Sequence, residues 1–239
     1  MSRALAIARR EFTSYFTTPV GYVVIALFLF VSGYLFWLSV LSTGVEATMR
    51  GFFSITMMLL LFIAPAISMR LLSEELRLGT IETLMTCPIS DAQVVIGKWL
   101  AALGFFLAML APTLVFVLTL AIYADPDFGP IFSGYLGLAL VGSLYLALGA
   151  LASTFWASQI LSYLLALFFW LAFFGVTNWL PRSLPDPWSD MLYWMSIFQR
   201  YDDSFGKGVI DLGSVVYFLS GTVLFLAIAI KTLEVRRWR

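Results

Sequence analysis

Apolar residues run along this chain in blocks too long for the core of a soluble protein, separated by short polar intervals. Six blocks lie near 20–42, 51–69, 98–123, 131–154, 158–180 and 212–231. At 1.5 Å of rise per residue, each forms a helix long enough to cross a hydrocarbon layer of about 30 Å. None carries a charged residue in its interior. The pattern predicts an all-α membrane protein with six transmembrane helices in a single domain spanning 1–239. Pro65 and Pro112 fall inside the second and third blocks, where neighbouring helices tolerate a kink. The turn from Ser153 to Ser158 carries no charge, and its Ser-Thr and Ser-Gln pairs suit the caps of a tight helical hairpin.

The polar intervals have patterns of their own. Residues 2–18 read as a helix lying on the membrane, with Leu5, Ala8, Phe12, Tyr15 and Phe16 on one face and Arg3, Ala6, Arg10, Thr13 and Thr17 on another. Pro19 ends it. It is either a plain anchor or an element linked to a gate. Between the second and third blocks, at 70–97, Leu71 to Leu78 extends the second span as a charged helix, and Gly79 can stop it in a left-handed turn. Thr80 can cap a second short helix, with Glu82 near its positive end and Ile81, Leu84 and Met85 as its apolar face. Pro88 ends that helix, and Ser90 with Gln93 forms a capping box that starts the third span. Such a short helix suits the groove of a partner protein, or it is only a solvated tether. In the interval 181–211, Asp186 can cap a helix whose first residue is Pro187. Trp188, Met191, Leu192, Met195 and Phe198 then recur at helical spacing, as an outer gate or as an aromatic belt.

Composition agrees with a membrane protein: of 239 residues 61% are hydrophobic and 12% charged, with mean hydropathy +0.94, whereas soluble domains run near 25% charged. The formal net charge of zero argues against nucleic acid as a partner. The chain has no histidine. That removes imidazole proton relays, Ser-His and Cys-His nucleophile pairs and His-based metal sites, and makes a membrane metalloprotease built on Glu74 and Glu75 implausible. Cys87 is the only cysteine, so no internal disulfide forms. It reads as a small apolar residue beside a turn. No P-loop motif occurs, so the chain does not bind ATP by that device. A proton- or ion-coupled transporter would place an ionisable group at mid-membrane; this sequence places none there.

Lysine and arginine set the expected orientation. With both termini inside, the inner side holds Arg3, Arg9, Arg10, Arg70, Arg77, Lys98, Lys231, Arg236, Arg237 and Arg239, and the outer side holds Arg50, Arg182, Arg200 and Lys207. This satisfies the positive-inside rule. Acidic residues lean outward, at Glu46, Asp125, Asp127, Asp186, Asp190, Asp202, Asp203 and Asp211.

The stretch Glu74 to Lys98, with Gly-Thr-Ile-Glu-Thr-Leu at 79–84, Pro-Ile-Ser at 88–90 and Gly-Lys at 97–98, resembles the coupling region of ABC-2 type transporter permeases. Ala-Arg-Arg-Glu-Phe at 8–12 followed by Thr-Pro-Val-Gly-Tyr at 18–22 resembles their elbow helix. The segment from Phe198 to Asp211 and the Arg-Arg-Trp tail resemble the gliding-motility and copper-maturation branch. The resemblance implies six spans, an elbow helix, a cytoplasmic coupling helix and short outer re-entrant helices at 181–211. It implies that Glu74, Thr80, Ile81, Glu82 and Thr83, with Leu84 and Met85, dock a separate ABC ATPase subunit, which carries the ATP and Mg, and that Arg10 and Glu11 belong to the elbow. It further implies a second permease copy, a bacterial inner-membrane location, and no enzymatic activity or cofactor in this chain. An accessory membrane protein is a further candidate partner. No large outer domain is inserted, unlike relatives that span the periplasm by themselves. The competing reading is a membrane assembly or anchoring subunit that does not transport.

Overall fold

The computed structural model describes residues 3–40, 48–80, 90–124 and 126–237. Within these, α1 (Arg3–Thr17) precedes α2 (Pro19–Val40), α3 (Arg50–Ser68) and the short α4 (Ser73–Leu78). After the interval come α5 (Asp91–Leu110) and α6 (Leu114–Tyr123), then α7 (Phe128–Phe155) and α8 (Gln159–Asn178). Two short helices, α9 (Trp188–Met195) and α10 (Ile197–Asp203), lead to α11 (Leu212–Arg237). Six helical stretches are long and apolar enough to cross a membrane, and no strand occurs among the described residues.

The bundle is built around α7. In its most apolar window 83% of residues are buried, against 22% for both α2 and the α8 stretch, which face outward. Glycines let neighbours reach its axis. A Cβ on Gly142 would stand 2.1 Å from the Phe106 ring, and one on Gly149 would stand 1.8 Å from Ser68 Oγ. Small residues at such contacts allow helices to approach closely where no hydrophobic effect drives them together. Polar side chains tie the same helices: Trp99 Nε1 donates to the Ser143 carbonyl at 3.2 Å, and Ser143 Oγ meets Thr222 Oγ1 at 3.2 Å.

Helix ends follow the local chemistry. Ser90 and Gln93 form the reciprocal capping box at the start of α5. Gly79 ends α4 with φ 70°, the left-handed region glycine enters without a Cβ penalty. Ser158 accepts from Leu161 N and caps α8, so the uncharged turn is a helical hairpin. Arg236 donates to the Phe155 carbonyl at 2.5 Å, placing a cation at the C-terminal end of α7. Pro65 stays within α3, while Pro112 sits in a 3-10 turn, Ala111–Thr113, that separates α5 from α6. A proline lacks the amide that the α-ladder needs there.

Three expectations are corrected. The second span does not run on continuously into the charged helix: residues 69–72 form a turn before α4, and Leu72 is its N-cap. Thr80 is already helical instead of preceding a helix. Pro187 is the N-cap of α9, not its first residue; Asp186 accepts from Ser189 Oγ at 2.6 Å, and Ser196 breaks the helix so that Met195 and Phe198 lie on different elements.

Candidate functional site

At the end of the bundle that holds α1 and α4, three elements converge on one buried cation. Lys98 sits seven residues into α5, beyond the capping box, and is 4% exposed. A lysine is almost never buried so deeply without a partner. Here Nζ lies 3.0 Å from Glu75 on α4 and 3.5 Å from Glu11 on α1. Glu11 also accepts from Arg10 at 2.7 Å. Burial alone would raise the Glu11 carboxyl, but the Lys98 charge and the Arg10 hydrogen bond outweigh it and hold the group below its ordinary 4.5. Glu75 Oε2 is buried with no hydrogen-bond partner among the described residues.

A second strand of contacts runs beside this ion triad. Tyr15 on α1 stacks on Phe105 with centroids 4.5 Å apart and donates to the Ile67 carbonyl of α3 at 3.0 Å. Arg70, in the turn before α4, lies 4.2 Å over the Tyr15 ring. Burial pushes the Tyr15 phenol up to about 12, so the ring stays a neutral donor. A cavity of about 250 Å³ opens between these groups, lined by Glu11, Tyr15, Arg70, Glu74, Glu75 and Lys98 among others. α1, the turn and α4, and the start of α5 are thereby one electrostatic unit.

Of the residues expected to dock a partner, Glu74 lines this cavity and Thr80 is exposed just beyond Gly79. Ile81, Glu82, Thr83, Leu84 and Met85 lie outside the described residues. Glu11 is central to the triad and Arg10 pairs with it at the exposed rim. Sequence reasoning missed Glu75 and the burial of Lys98. The available signal was spacing: Lys98 stands eight residues past Ser90, two turns inside a capped helix, where a cation needs a partner. At the opposite end, Trp188 and Met191 are 62% and 57% exposed, while Phe198 packs on Phe174 at 4.8 Å. The Met195 carbonyl accepts from Tyr217 at 2.7 Å. Trp188 and Met191 are thus exposed on α9, while Met195 and Phe198 are half-buried on either side of the α9–α10 break.

No cluster of metal-ligating side chains occurs among the described residues. Six spanning helices with a charged joint at one end define a multi-pass membrane protein whose polar machinery sits at the membrane surface. A family model described as ABC-2 family transporter protein matches residues 5–202, and the chain belongs to that family. No curated protein matches the chain.

Proposed function

We propose that this chain is the permease subunit of an ATP-driven transporter: two copies, or one copy with a related permease, form the pathway, and a separate ATPase docks on residues 74–85. The observation that carries this reading is the Glu11–Lys98–Glu75 triad. It binds the helix leading to the docking segment to both the surface helix and the third span. A displacement of α4 by a closing ATPase is then transmitted to α1 and α5 together, because separating them strands a buried charge, which costs several kcal/mol. Catalysis resides in the partner, and this chain's residues move as levers. Membership of an ABC-2 transporter family supports the pairing with an ATPase.

The test is purification of the tagged chain from its native membrane in mild detergent, with partners identified by mass spectrometry. A P-loop ATPase in fixed ratio, lost in Glu82→Arg, is the expected result. Glu75→Gln is expected to keep the ATPase bound and hydrolysing while transport falls at least tenfold. Recovery of folded protein with no ATPase would replace the permease reading with that of an anchoring subunit.

A further inference from the structure

The end of the bundle away from α1 carries a second charged cavity, of about 290 Å³, between α9, α10 and the start of α11. Its size is at the lower edge of small-ligand sites, which begin near about 300 Å³. Arg200 dominates it. The guanidinium lies 4.2 Å over the Trp194 ring and 4.6 Å over the Tyr217 ring, and its Nη2 donates to the Trp194 carbonyl at 3.0 Å. The two rings and that carbonyl fix the plane of the group. No carboxylate among the described residues lies within ion-pair distance of Arg200, whereas Lys207 is paired with Asp203 at 2.8 Å. A fixed, half-buried guanidinium with donors to spare is shaped for a bidentate oxyanion.

The surroundings say what kind of oxyanion. Asp203 is neutralised by Lys207, but Asp211 also lines the cavity with no cation within ion-pair distance among the described residues, so a purely anionic ligand meets repulsion beside the arginine, while a ligand carrying both charges does not. The rim is apolar: Val209, Ile210 and Leu212 are 57%, 51% and 75% exposed, and Trp194 is 66% exposed. Exposed tryptophan next to an exposed aliphatic edge marks the boundary between headgroups and acyl chains. A polar cavity opening at that boundary fits the polar end of an amphiphile.

We propose that this cavity binds the headgroup of a zwitterionic phospholipid, its phosphate on Arg200 and its ammonium toward Asp211. The lipid stitches α9 and α10 to the last span at the membrane surface. The site stands independently of the ATPase reading, since nothing in it involves the Glu11–Lys98–Glu75 end.

The test uses the full chain reconstituted in nanodiscs of phosphatidylethanolamine and phosphatidylglycerol in equal parts, then released in mild detergent and weighed by native mass spectrometry. The expected result is retention of phosphatidylethanolamine over phosphatidylglycerol, with Arg200→Gln reducing retention at least tenfold. Asp211→Asn keeps a helix-capping side chain and is expected to retain lipid while losing the preference between the two headgroups. It therefore reads the site even if Arg200→Gln folds poorly. Equal retention of both lipids by the unaltered chain, or an unchanged preference in Asp211→Asn, overturns the proposal. Displacement of the lipid by inorganic phosphate would make this a free-anion site and overturn the lipid assignment.

Discussion

Lys98 is the residue on which the surface joint turns. Its replacement by methionine keeps the stem's packing and leaves Glu11 and Glu75 facing one another without the cation. Breaking a buried ion group by removing one partner typically costs about 3–5 kcal/mol, so Lys98→Met is expected to lower the thermal midpoint in detergent markedly. The triple variant Glu11→Gln, Lys98→Met, Glu75→Gln removes all three charges and is expected to recover most of that loss. A triple variant no more stable than Lys98→Met would show that the residues do not act as one unit. Acid should loosen the same joint. The folded Glu11 carboxyl lies below its ordinary value of 4.5, so its contribution is fully present above that value and is lost as pH falls through the lower folded one. Glu11→Gln should therefore flatten the acid limb of a stability profile, and an unchanged limb would refute the assignment.

Among the elements, the helices were legible in the sequence wherever apolar runs were long, and their ends wherever a cap had a chemical signature. Ser90 with Gln93 and Gly79 were readable because each satisfies the backbone locally. The phase of α1 was legible only in part. Ala8, Phe12, Tyr15 and Phe16 pack inward as their spacing suggests, but the packed face extends to Ile7 and Glu11, since α5 offers a glycine gap at Gly97 and a buried cation at the very next residue. Glu74 and Glu75 are equivalent as letters; only the turn at 69–72, which resets the helical phase, decides that Glu75 meets Lys98. The same dependence on neighbours yields a prediction for α7. Gly149→Ala drives a methyl into Ser68, and overpacking of this kind costs about 1–3 kcal/mol. Gly175→Ala on α8 meets its nearest atom, in Trp179, at an ordinary 3.8 Å, and is expected to be neutral or slightly stabilising. Thermal unfolding of the two variants in the same detergent checks the contrast; equal losses would mean that α3 and α7 are not in close contact.

For the molecule as a whole, the distribution of charge and exposure has a single consistent reading. The spans that face outward present apolar side chains, such as Val23, Leu27 and Phe30 on α2 and Phe168 on α8, all at least 60% exposed. Such surfaces need hydrocarbon around them, whereas the ionic groups are confined to the two ends. The ends differ in sign: the one holding α1, α4 and the α7–α8 turn carries ten of the fourteen lysines and arginines if the termini are inside, and the other carries eight of the fourteen acids. The energetic bias of basic loops toward the cytoplasm then predicts the joint inside and the Arg200 cavity outside. Because Cys87 is the only cysteine, the assignment can be read directly. A membrane-impermeant maleimide should leave native Cys87 unmodified in intact cells stripped of outer barriers and label it once the membrane is opened. In a Cys87→Ser background, Ser183→Cys, at an exposed position between α8 and α9, should be labelled without opening. The reverse pattern would place the Glu11–Lys98–Glu75 triad on the outer face, out of reach of any cytoplasmic ATPase, and would overturn the permease mechanism along with the orientation.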